Sequence, residues 1–117
     1  MKEFYKLKAN YDFQRLYRRG NSFVSPTIVT YVRHLSGNRV RLGITASKKL
    51  GSAVARNRAK RVITAAFREC LPCICSGCEI VIVARNRILA EKSTQVAATL
   101  KKQLSAAGIW CENEIDR

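Results

Sequence analysis

Acidic side chains are scarce in this chain, and their placement excludes several kinds of chemistry. The 117 residues hold 8 aspartates and glutamates against 22 lysines and arginines, a formal charge of +14. No acid lies between Asp12 and Glu69. Asp12, Glu69, Glu79 and Glu91 are scattered singly, Glu3 lies near one end, and Glu112, Glu114 and Asp116 lie near the other. A nuclease that works as a protein needs paired carboxylates for metal, or a histidine base. The one histidine, His34, ends a β-rich stretch with no acid nearby. No residue is therefore assigned a catalytic role, and no protein metal site is expected. Long apolar runs are missing too: none approaches the ~18 residues of a membrane span. The stretch Met1 to Lys6 lacks the apolar region of a signal peptide. The chain reads as cytoplasmic, with no membrane partner and no obligate protein partner. Repeats and low-complexity linkers are absent, so residues 1–117 read as one domain.

What is present in quantity is apolar residue and positive charge. At 47% apolar the chain can bury a core and is no disordered basic tail. So large a cationic excess opposes folding by self-repulsion and implies a polyanionic partner, RNA or DNA before an anionic membrane. The excess is concentrated in Lys48 to Arg61, which carries Lys48, Lys49, Arg56, Arg58, Lys60 and Arg61 and no acid. At about 100° per residue, Ala55, Ala59, Val62, Ile63, Ala66, Phe67 and Cys70 gather on one side of a helix. Arg56, Asn57, Lys60, Arg61, Thr64 and Arg68 gather on the other, with Arg58 on a flank. A solvated face ordinarily mixes both signs, because like charges at i, i+4 repel. This one does not, which favours a face for phosphates.

Four of the five cysteines crowd together as Cys70, Cys73, Cys75 and Cys78. Paired C-x-x-C units suggest zinc, but zinc sites separate their pairs by a dozen residues or more. Here only Ile74 intervenes. Reduced thiols without a function are the favoured reading, soft-metal capture stays open, and disulfides rank last in a reducing compartment. Cys111 reads as a small apolar residue.

The elements follow from periodicity and turn residues. A first helix is expected over 10–19, closed by Gly20. A strand runs from Thr27 to Arg33, a turn covers Ser36-Gly37-Asn38, and a strand runs from Arg39 to Ser47 with Val40, Leu42, Ile44 and Ala46 inward and Arg39, Arg41, Gly43, Thr45 and Ser47 outward. The basic helix covers about 52–71, with Ser52 as N-cap. Ile80 to Ala84 is apolar throughout, as in a central strand, and it exits into Arg85-Asn86-Arg87. A last helix covers about 90–107, with Val96, Leu100 and Leu104 as its stripe and Gly108 as its stop. The order α-β-β-α-β-α implies a two-layer α/β (α+β) sandwich with a small mixed sheet.

Residues Ser47 to Arg61, SKKLGSAVARNRAKR, resemble the RNR signature of the protein subunit of bacterial ribonuclease P. Asp12-Phe13, Tyr17, Gly20, Tyr31 and the strand Ile80 to Arg85 extend the resemblance over roughly Leu7 to Leu104. The resemblance implies a left-handed β-α-β crossover, an exception to a strong rule. It also implies that a large catalytic RNA, using Mg²⁺ held mainly by RNA phosphates, removes the 5′ leader from precursor tRNA. The protein would bind both RNAs, raise substrate affinity and lower the Mg²⁺ requirement. Carried onto this sequence, Lys48, Lys49, Arg56, Asn57, Arg58 and Arg61 would contact the catalytic RNA. Phe13, Tyr17, Tyr31 and Lys60 would line a cleft for the leader, and Arg68 and Arg85 would add basic contacts. Arginine forks suit phosphate, and aromatic faces accept unpaired bases regardless of sequence. For Phe13 and Tyr17, packing of the first helix on the sheet is the competing role. Thr64 departs from the basic residue common in relatives. A ribosomal type of RNA-binding protein is the alternative function; a helix-turn-helix is disfavoured because strands flank the basic helix.

Overall fold

Why the chain forms one mixed sheet with helices on both faces follows from where its apolar positions alternate. The computed structural model describes residues 3–75 and 77–111. Its elements are β1 (Tyr5–Lys6), α1 (Asn10–Arg19), β2 (Asn21–Val24), β3 (Ile28–His34), β4 (Val40–Thr45), α2 (Ala53–Cys70), β5 (Cys78–Ala84) and α3 (Ser93–Ala106). Short 3-10 turns cover Lys48–Leu50, Leu71–Cys73 and Asn86–Ala90. The strands lie in the order β1-β4-β5-β3-β2. β5 is parallel to β4 and antiparallel to β3, and β1 runs parallel to β4. The expected central strand is indeed central, with Ile80, Val81 and Ile82 fully buried on both faces.

The α+β sandwich stands as expected, with fuller layering than two. Ile28, Val32, Val40, Leu42, Ile80 and Ile82 face one way and pack with Ala59, Ile63, Phe67, Val96, Leu100 and Leu104 of α2 and α3. The other face takes α1, through Leu16, Phe13 and Tyr17 against Val81, Val83 and Tyr31. The residues of β4 expected to point outward are therefore covered. Arg41 pairs with Glu79, the Phe13 ring lies on Gly43, and Thr45 meets Tyr17.

β1 and β2 join the strands expected from the sequence; with two and four residues of mixed polarity, they take their form from their partners. The last helix begins at Ser93, later than position 90, because Asn86–Ala90 closes its own turn through Ile88 N–H to Arg85 O and Glu91 N–H to Ile88 O. It stops as expected. Gly108 has φ +79°, and the N–H groups of Gly108 and Ile109 reach the oxygens of Ser105 and Leu104, completing a Schellman motif.

The cysteine expectation needs correction. Cys75 and Cys111, 36 residues apart, form a disulfide. The Ile74–Trp110 bridge, with Cys75 N–H on Ile109 O and Cys111 N–H on Cys73 O, lays the two segments side by side. No spacing along the chain could show that juxtaposition. Cys70 and Cys73 remain free thiols, and the Cys78 thiol donates to Cys75 O at 3.5 Å. Burial pushes the Cys70 thiol up to about 11, with Glu69 adding to the shift.

Candidate nucleic-acid interface

The basic helix is built at its start by a cap and along its length by burial of one stripe. Ser52 Oγ accepts from Ala55 N–H at 3.2 Å, as its position before the apolar repeat foretells. Ala59, Ile63, Ala66, Phe67 and Cys70 are buried beneath α2. That burial fixes the helix roll and turns Asn57, Arg58, Lys60, Arg61 and Arg68 outward, all exposed. Arg56 and Thr64 are half-buried, and the Thr64 hydroxyl donates to Lys60 O within its own helix. Arg68 also lies over the Phe4 ring at 5.2 Å. Arg58 Nη2 comes within 3.5 Å of Leu89 O. Lys48 and Lys49 are exposed on the 3-10 turn that precedes the cap, with Leu50 buried as its anchor. No acid of the described residues pairs with any of these cations.

The aromatic residues form a half-buried cluster on the α1 face. Phe13 and Tyr17, four apart on α1, meet the sheet together. The Tyr17 and Tyr31 rings stand edge to face at 5.0 Å, and the Tyr17 hydroxyl lies 3.2 Å from Thr45 Oγ1. Gly43 is what allows Phe13 its seat: a Cβ there would lie 2.6 Å from the ring. Phe13 and Lys60 line one cavity of about 260 Å³, with Phe4, Lys6, Leu7 and Ile44. So the structure brings Lys60 of α2 to Phe13 of α1 across the β1–β4 edge, and pairs Tyr17 with Tyr31 further along α1. Phe13 and Tyr17 each pack on the sheet, and each remains partly exposed.

Next to this cluster lies a charge network that the sequence reading missed. Glu79 is fully buried in β5, between Arg33 of β3 and Arg41 of β4 at the same register. It accepts from Arg41 Nη1 at 2.7 Å, Arg15 Nη2 at 2.8 Å and Arg33 Nη1 at 3.3 Å. Arg15 also bonds Asp12 at 2.8 Å, and Arg41 Nη2 is 3.7 Å from Asp12. Two acids read as scattered are thus joined by shared arginines. Glu79, then Asp12, raises the Arg15 pKa above its ordinary value. Three arginines are thereby neutralised by acids of the fold, and among the described residues the cations of α2 are not. A charged residue inside an apolar β run was the available signal.

Arg85 is exposed at the exit of β5, where its Nη1 donates to Ser25 O at 3.0 Å. Among the described residues, no group of three or more His, Cys, Asp or Glu is placed to hold a metal ion. No described helix is long and apolar enough to cross a membrane.

Fold and surface together define a class: a small basic α+β protein with one acid-free helix face and an aromatic cluster behind its sheet. The sequence model of the ribonuclease P family, described as "Ribonuclease P", matches residues 1–108. The chain is 34% identical over 118 residues to the ribonuclease P protein component of Clostridium beijerinckii, covering 95% of this chain and 94% of that one. It is 44% identical over 87 residues to that of Listeria welshimeri, covering 74% and 73%. Among solved structures, the Staphylococcus aureus RNase P protein superposes with a TM-score of 0.79 at 34% identity, covering 92% of this chain and 99% of that one. The Thermotoga maritima RNase P protein gives 0.75 at 27% identity, covering 88% and 96%. The chain belongs to the ribonuclease P protein family.

Proposed function

We propose that this chain is the protein subunit of a bacterial ribonuclease P ribonucleoprotein, an endoribonuclease whose catalytic groups reside in its RNA. The protein docks on that RNA through Lys48, Lys49, Arg56, Asn57, Arg58 and Arg61. It takes the 5′ leader of precursor tRNA along Phe13, Tyr17, Tyr31 and Lys60. The observation that carries this reading is the α2 face: exposed, cationic and without an acid to neutralise it, beside arginines that the fold does neutralise. Counterion release from phosphates gives such a face its affinity. Unpaired leader bases stack on the exposed parts of these aromatic rings, which suits leaders of differing sequence.

Mg²⁺ belongs to the RNA in this reading. Asp12 and Glu79, the acids nearest the aromatic cluster, are already held by Arg15 and Arg41 and offer a cation nothing. The protein lowers the Mg²⁺ requirement by supplying fixed positive charge where the RNAs meet, and the cytoplasm is its compartment.

The test is cleavage of a precursor tRNA at low Mg²⁺ by a bacterial ribonuclease P RNA, with and without this protein. Restored cleavage at the mature 5′ end is expected, and protein without RNA should be inert. Cleavage by RNA-free protein would sink the division of labour. Arg58→Ala should flatten the slope of log affinity for the catalytic RNA against log salt by about 0.7–0.9, the contribution of one phosphate contact.

A further inference from the structure

The exit of β5 forms a second cationic surface that the helix signature does not include. Ile88 is buried and anchors the 3-10 turn Asn86–Ala90, which leaves Arg85, Asn86 and Arg87 exposed along its outer side. Opposite stands the β2–β3 turn, held in shape by Ser25, whose Oγ is 2.8 Å from Ile28 O and accepts from Ile28 N–H at 3.1 Å. Arg85 spans the two walls: its N–H bonds Thr27 O at 2.9 Å and its Nη1 bonds Ser25 O at 3.0 Å. The guanidinium is thus fixed by one nitrogen, and its remaining N–H groups are left for another acceptor. Between the walls lies a groove of about 540 Å³ lined by Val24, Ser25, Pro26, Arg85, Asn86 and Arg87. Arg87 also lines an adjoining cavity of about 400 Å³, whose one acid is Glu91. Among the described residues Arg87 forms no ion pair.

We infer that this groove binds a phosphate-bearing strand of the same catalytic RNA that docks on α2. The commitment to that RNA comes from continuity. The turn that carries Arg87 also supplies the Leu89 carbonyl that Arg58 of α2 approaches. Lys48 and Lys49 follow β4, the parallel neighbour of β5, and so leave the sheet at the same end as Arg85. Cations from three segments therefore border one end of the sheet. The aromatic cluster proposed for the leader is centred on the α1 face instead. Arginine forks match phosphate oxygens.

The inference rests on the reading that α2 docks on the catalytic RNA, and the experiment separates the two. The full-length double variant Arg85→Gln/Arg87→Gln is titrated with a bacterial ribonuclease P RNA from about 50 to 300 mM salt, alongside wild type and Arg58→Ala. A separate arm titrates a short single-stranded leader RNA alone. The expected result is a slope shallower by about 1.5, close to twice the Arg58→Ala change, with leader binding unchanged. The double lysine variant should restore the slope, because it restores the charge. An unchanged slope while Arg58→Ala still alters it overturns the groove alone, and so does a loss confined to the leader. If neither variant alters the slope, the α2 reading fails and the groove inference falls with it. Thermal melting of the double variant, expected to match wild type because both side chains are exposed, guards against misfolding as the cause.

Discussion

The two faces of the sheet are made of different matter. Toward α2 and α3 the contacts are mostly apolar: Ile63, Phe67, Ile80, Ile82, Leu100 and Leu104 are all fully buried, and one buried polar pair joins them, Thr30 of β3 donating to Gln103 of α3 at 2.6 Å. Toward α1 they are mixed, with half-exposed aromatics, a hydroxyl pair and two carboxylates bound by three arginines. Apolar packing is insensitive to direction, and on the first face the Gln103 hydrogen bonds to Thr30, Phe23 O and Ile28 O add a directional tie between α3 and the sheet. The second face spends buried charge on orientation: Arg15 ties α1 to β5, and Arg41 ties β4 to both acids. That fixes α1 against the sheet beside Phe13, Tyr17 and Tyr31, which remain half-buried. A rigid apolar layer therefore backs a surface whose polar contacts set its geometry.

The largest effect is expected from the apolar face. Phe67 is fully buried between α2 and the sheet and meets the Phe4 ring at 5.0 Å. Phe67→Ala should lower unfolding free energy by about 4 kcal/mol, through lost burial plus an unfilled cavity. Denaturant melts read this directly. A cost below about 1 kcal/mol would mean the face repacks, and the contrast between the faces would weaken.

Glu79→Gln comes next. It removes the charge but keeps the shape, leaving three arginine side chains around a neutral amide. A loss of about 3 kcal/mol is expected, because a buried ion network is costly to break from one side. The loss should shrink if Arg15 or Arg33 is neutralised as well, and a double-mutant cycle for each pair would measure that coupling. Independent, additive effects would show that the arginines are solvated without Glu79.

These two cases also show what the sequence could convey. The α2 stripe was legible because helical repeat and cap are local: Ser52 precedes the run, and Ala59, Ile63, Ala66 and Phe67 recur at three and four. β5 was legible as a central strand because its apolar run needs burial on both faces. The Asp12–Glu79 network was not, since its members are far apart in the chain and only strand register aligns Arg33, Glu79 and Arg41. The same holds for Cys75 and Cys111, and for the short strands β1 and β2. The outward placement of Asn57, Arg58, Lys60 and Arg61 on α2 was legible from roll angle alone. The meeting of Lys60 with Phe13 needed the helices on either side of the β1–β4 edge.

The smallest effects come from the α1 face, and they decide whether its aromatics serve packing or binding. Tyr17→Ala removes a ring that packs at 5.0 Å on Tyr31 and remains partly exposed. It should cut the preference for precursor over mature tRNA about tenfold, the scale of one lost base stack. Equal weakening for both substrates would return Tyr17 to packing. Tyr17→Phe then isolates the hydroxyl. It deletes only the 3.2 Å bond to Thr45 and keeps the ring in place, so stability should fall by no more than about 1 kcal/mol. Precursor preference should stay at the wild-type level, because stacking uses the ring and its hydroxyl is occupied by the sheet. Should Tyr17→Phe lose the preference as fully as Tyr17→Ala, the hydroxyl itself would be reading the RNA. Thr45 would then be a competitor for that hydroxyl, and the α1 face would recognise its ligand by hydrogen bonding in place of stacking.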